Sequence, residues 1–120
     1  MDFYKRVEGI LKKDARYKAD AYEFVMQALH FTQDKLKRKD HVTGGELLEG
    51  IREFGLNQYG PMATVLFEHW GVKATEDFGE IVFNMVENGV MKKTDKDSRL
   101  DFKNVYDFKE AFAADDVDIR

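Results

Sequence analysis

Apolar residues recur along this chain at helical intervals, and the interval shortens towards alternation only near residue 90. Phe3, Val7, Ile10 and Leu11 share one helical stripe across residues 2–14. A longer stripe crosses 17–38 through Tyr17, Ala21, Val25, Ala28, Leu29, Thr32 and Leu36. Tyr22, Phe24 and Phe31 widen it, so this helix is expected to be covered on more than one side. Its closing run of cations, KLKRK, suits the negative end of a helix dipole. Thr43 and Glu46 then have the spacing of a capping box, with Val42 as the staple residue. The helix they open would turn Leu47, Leu48, Ile51, Phe54 and Tyr59 inward. Gly60-Pro61 breaks that run, and Pro61 is well placed to start a short helix over 62–70 that stops at Gly71. Thr75 is read as the cap of a helix over 75–88, with Phe78, Ile81, Val82, Met85 and Val86 facing inward and Asn88-Gly89 ending it.

Beyond Val90, VMKKT and RLDFKNV flank the turn-rich DKDS, which predicts antiparallel strands over 90–94 and 99–104. YDFKEAF suits a last turn of helix placing Tyr106, Phe108 and Phe112 on the core, and 113–120 reads as a flexible tail. The expected fold is mainly α with a small β-hairpin. It is one domain over 1–120, with a winged-helix-like core at 41–112 preceded by two N-terminal helices within 1–40.

Composition supports a packed domain: 43% of the residues are hydrophobic and only one is proline. Cysteine is absent, which excludes disulfides and thiolate metal sites and makes a reducing, cytoplasmic setting the simplest expectation. No apolar run is long enough to cross a membrane, so no membrane partner is expected. Charge is uneven. Residues 1–43 carry 10 Lys/Arg against 7 Asp/Glu, whereas 44–120 carry 9 against 16.

That imbalance bears on the obvious guess, since recognition helix followed by wing is how a DNA-reading winged helix ends. A groove reader presents Arg, Lys, Asn or Gln to base edges. The outer face of helix 75–88 instead shows Glu76, Asp77, Glu80, Asn84 and Glu87. Carboxylates there meet phosphate repulsion and release no counterions. The cations form a second candidate set: Lys12, Lys13 and Arg16; Lys35, Lys37, Arg38 and Lys39; and Lys92, Lys93 and Arg99 in the hairpin. A solvated helix end is the plain reading of the KLKRK run, and a phosphate or acidic-partner contact the functional one. Phe67, Trp70, Phe83 and Tyr106 exceed what a small core obviously needs; Trp70 and Phe83, if exposed together, would make a contact hot spot, on a candidate surface that Phe67, Glu76, Glu80 and Glu87 complete. His30, His41 and His69 form no HExxH pair. DFG at 77–79 stands without any other kinase signature, and DKDSRLD lacks the glycine and closing glutamate of a calcium loop. No catalytic, metal-binding or cofactor-binding residue is assigned, and no cofactor is implied.

The segments YKADAYEFVMQAL, HVTGGELLEGIR, VLFEHWGV, TEDFGEIVFNMVENG and VYDFKEAF together resemble a family of small uncharacterised bacterial proteins largely restricted to Planctomycetes and Verrucomicrobia. The resemblance implies no activity. The chain thus reads as a non-enzymatic domain working through contact with an unknown protein partner or with itself. A nucleic-acid binder using the basic N-terminal helices and the wing is the alternative, and an enzyme with an unrecognised site the third reading.

Overall fold

The computed structural model describes residues 2–92 and 98–113, and among these it contains helices and turns but no strand. Six α-helices follow in order: α1 Phe3–Lys13, α2 Ala19–Leu36, α3 Gly44–Tyr59, α4 Ala63–His69, α5 Thr75–Glu87 and α6 Phe108–Ala111. Single 3-10 turns occupy Gly60–Met62, where Pro61 lies, and Arg99–Phe102. α2 packs along α3 and against α5, and α1 lies across α2 and α5. The second helix is therefore the middle of the fold and not an extension in front of it.

Burial follows the periodic stripes. α2 buries Ala21, Tyr22, Phe24, Val25, Ala28 and Thr32, more than one face can account for, as its widened apolar surface requires. Phe24 sits at the centre, its ring 5.2–6.3 Å from those of Phe54, Tyr59, Phe67, Trp70 and Phe78. Phe67 carries the cluster on to Phe108 and Phe112 of the C-terminal turn at 5.8 and 5.1 Å. The five pairs around Phe24 are tilted, and the two from Phe67 are edge-to-face, a geometry that ring quadrupoles favour.

The caps are specific. The Thr43 hydroxyl accepts from the Glu46 amide at 3.1 Å, and the Glu46 carboxylate accepts from the Thr43 amide at 2.9 Å. At α5 the expected cap is displaced by one residue. Thr75 lies inside the helix, fully buried, and its hydroxyl donates to the Phe102 carbonyl at 2.7 Å and accepts from the Val105 amide at 3.1 Å. Asp77 supplies the capping oxygens instead, accepting from the amides of Lys73 and Ala74.

The predicted wing is the main correction, and the winged-helix assignment falls with it. Its second strand is the 3-10 turn Arg99–Phe102, capped by Ser98, whose hydroxyl accepts from the Leu100 amide while Asp101 accepts from the Ser98 amide. In a strand Leu100 and Phe102 would share a face. Here Leu100 is 74% exposed while Phe102 is buried against α3 and α5. Val90 to Lys92, in the expected first strand, form a bend, and the other residues of that strand and the 114–120 part of the tail lie outside the described residues.

Close packing of α2 on α3 depends on Gly50. A Cβ at that position would lie 1.7 Å from the Thr32 hydroxyl oxygen, which donates back to the Ala28 carbonyl. Gly50→Ala is expected to destabilise the domain, since overpacking costs about 1–3 kcal/mol against roughly 0.5–1 kcal/mol gained by alanine in a helix. Thr32→Ala in the same chain removes the clashing oxygen and should recover part of the loss. Urea denaturation of the two single variants and the double variant checks this, and strictly additive changes would mean that the two residues do not meet.

Candidate functional site

The three aromatics of the candidate surface do not form an exposed patch. Phe67 is completely buried and Trp70 is 5% exposed, both within the Phe24 cluster. Phe83 is 7% exposed on another side of α5, with its ring 6.4 Å from Phe102 and the Arg99 guanidinium 4.9 Å above it. Glu76 and Glu87 are exposed, whereas Glu80 is half-buried between Arg16 and Arg99.

The face of α5 that a groove reader would present is largely covered from within. Asn84 donates to Asp14 and to the Tyr22 hydroxyl, each at 3.0 Å. Arg6 donates to the Asn88 carbonyl at 3.1 Å, and Lys13 to the Asn88 side chain at 3.3 Å. Arg16 forks onto Asp14, whose carboxyl is held well below the ordinary carboxylate range, chiefly by that guanidinium. The link between α1 and α2 is itself fixed, since the Lys18 amide donates to the Trp70 carbonyl and the Tyr17 hydroxyl to Asp77 at 2.6 Å. Gly71, at φ +94°, allows the approach, because a Cβ there would stand 2.3 Å from the Arg16 carbonyl oxygen. Entry of α5 into a groove would require peeling away α1, which buries Val7 and Ile10.

Four of the ten candidate cations are held in ion pairs among the described residues. Arg16 and Arg99 both meet Glu80, Lys35 meets Glu53, and Arg38 meets Glu46 through two bonds of 2.9 and 2.6 Å. Lys12, Lys37, Lys39 and Lys92 are exposed and form no ion pair with the described acidic residues, while Lys93 lies outside the described residues. Lys12, Lys13 and Arg16 precede α2, and Lys35 to Lys39 end it. Its 18 residues separate the two groups by about 27 Å at 1.5 Å per residue. They do not merge into one basic stripe along that helix.

What the fold does assemble is an apolar cleft of about 510 Å3. Met26 and Leu29 of α2 form one wall, and Val82, Phe83 and Val86 of α5 another. Gly44 and Leu47 of α3, with Phe102, complete its depth, and Val90 and Met91 extend the α5 side. Lys39, Asp40, His41 and Lys92 stand at the rim with Gln33. The size and the apolar lining with a few polar groups are those of a binding site. Sequence reasoning missed it. Apart from Phe83, its walls come from residues counted as core or, like Met26, not singled out. The available signal was the surplus of apolar positions on α2 and the Val82, Val86 spacing of four on α5. Among the described residues there is no group of three or more metal-ligating side chains, and no helix is long and apolar enough to cross a membrane.

Two outcomes are expected. Arg38, and then the Thr43 amide, hold the Glu46 carboxyl down to about 2, against an ordinary 4.5. A folded-state value below the unfolded one means that the stabilisation is complete above pH 4.5 and is lost as the pH falls from there towards 2. Glu46→Gln should therefore flatten the fall in stability over that window, read by denaturation at stepped pH, and the Glu46 carboxyl should titrate near the lower value by NMR. Mixed-sequence duplex DNA should bind weakly and with shallow salt dependence, and Glu76→Lys with Glu87→Lys should raise that affinity through new phosphate contacts. Fluorescence anisotropy at two salt concentrations measures both.

No family model matches the chain, and no curated protein or solved structure does either.

Proposed function

We propose that this chain is a cytoplasmic, non-enzymatic interaction domain that receives an apolar segment of a protein partner in the cleft between α2, α3 and α5. The observation that carries this reading is the cleft itself. Met26, Leu29, Val86, Val90 and Met91 line it while only half-buried, so apolar surface stands against water in a concave site. Covering such surface yields roughly 25 cal/mol per Å2. Methionines at two points of the wall let it adapt to an incoming side chain. The internal pairing of Arg16, Lys35, Arg38 and Arg99 weighs against the nucleic-acid alternative.

A photo-reactive amino acid placed at Met26 tests the reading in living cells of the native host. Illumination is expected to yield a discrete higher-mass protein adduct from position 26. The same label at Val65, exposed on α4 outside the cleft, should give none. Val86→Glu, which puts a charge on the wall, should abolish the adduct. Equal adducts from both positions, or none from 26, would sink the proposal.

A further inference from the structure

We infer that the segment this cleft takes is an acidic amphipathic helix about two turns deep in the groove. The inference rests on the reading of the cleft as a protein-binding site and adds the chemistry of its occupant. The walls set the shape. α2 contributes Met26, Leu29 and Gln33 at i, i+3 and i+7, and α5 contributes Val82 and Val86 at i and i+4. Each wall therefore runs one to two turns, up to about 10 Å at 1.5 Å per residue. A groove between two helices accepts a third through apolar anchors at i, i+3 or i+4, and i+7.

Backbone chemistry selects helix over extended chain. An extended segment lying on apolar walls would bury amides and carbonyls that need partners. An extended peptide that pairs its backbone with the receptor does so at a sheet edge, and the described residues contain no strand. The Gln33 amide, a polar group on the wall, is already spent on the carbonyls of Asp40 and, at greater length, Lys39. A helix satisfies its own backbone and asks nothing of the walls.

Charge selects the flanks. Lys39 and Lys92 stand exposed at the mouth, and no acid among the described residues forms an ion pair with either. Asp40 adjoins Lys39 at the rim and is exposed as well, so among the described residues the mouth carries two lysines against one aspartate. An incoming helix with Glu or Asp beside its apolar stripe would meet two exposed cations that no described acid pairs with. One with Lys in those places would meet like charge.

The test uses the full chain and two fluorescent helical peptides with the same leucine stripe at i, i+3 and i+7, one flanked by Glu and one by Lys. The Glu peptide should bind at least fivefold more tightly in low salt, and the gap should narrow as salt screens the rim. Lys39→Glu with Lys92→Glu, both at exposed positions, should reverse the preference. Met26→Glu should abolish binding, with circular dichroism showing an intact fold. Equal affinity for the two peptides, lost in Met26→Glu, would overturn the acidic assignment and leave the cleft as the protein-binding site. Absence of binding by either peptide would overturn the helical occupant while the cross-link from position 26 still stands on its own. Binding untouched by Met26→Glu would place the peptide elsewhere and overturn both. Concentration-dependent dimerisation abolished by Val86→Glu would identify a second copy as the occupant and overturn the inference.

Discussion

One phenylalanine organises this domain. Phe24 stands in the first half of α2 with its ring against five others contributed by α3, α4, α5 and the residues that end α3 and α4. Seven of the ring contacts therefore pass through one side chain or its immediate neighbour Phe67, which links the cluster to the C-terminal turn. Truncating a buried phenylalanine leaves a cavity as well as a lost transfer energy, on the order of 3–5 kcal/mol. That would be a large share of the stability of a domain this size. The remaining elements can be understood as ways of holding helices at the distances this cluster demands: a glycine where α3 meets α2, a bound carboxylate where α5 begins, and a fixed turn between α1 and α2.

The helices were legible because each carries its own periodicity and its own stop. Thr43 with Glu46, the Gly60-Pro61 break, Gly71 and Gly89 all act locally, and local chemistry can be read without knowing the neighbours. The wing was misread because alternation over three residues is too short to separate a strand from a 3-10 turn. Ser98 and Asp101 have the same reciprocal spacing as Thr43 and Glu46, and that signal was masked by the turn-like composition before it. Thr75 looked like a cap for the same reason, since a threonine before acidic residues satisfies the local rule. Its true partners, the backbone groups of Phe102 and Val105, are some thirty residues away. The cleft was out of reach on the same grounds. Its walls come from separate elements, and no single stretch of sequence carries the space between them.

The charge asymmetry of the two halves takes on a different meaning once they are folded together. Arg16 meets Glu80, Lys35 meets Glu53 and Arg38 meets Glu46, so cations of the basic half rest on acids of the acidic half. What looked like a field for an external polyanion is in large part complementarity within the fold. Each pair is partly exposed and contributes little alone, because water and salt screen it. Together they reduce the positive surface that an external polyanion could meet. Electrostatics in this position decides orientation and partner choice more than affinity.

The C-terminal stretch is held by sockets and not by a ladder. Phe102 fills the space that side chains at Gly44 and Gly79 would occupy, and Phe112 sits equally close to Gly55. The Tyr106 hydroxyl reaches the Leu48 carbonyl, and Thr75 grips the chain from both sides of its turn. All of these contacts span long stretches of sequence, whereas α2 and α3 are near neighbours along the chain. Closing a long loop costs entropy before any contact repays it, so the helices can assemble first and the aromatic stoppers arrive last. Until they do, Gly44 and Gly79 face water as open seats on the helix surfaces. During synthesis the domain is thus complete only when its final turn has emerged, and a nascent chain that has emerged only as far as residue 92 would display those vacancies to whatever waits outside the ribosome.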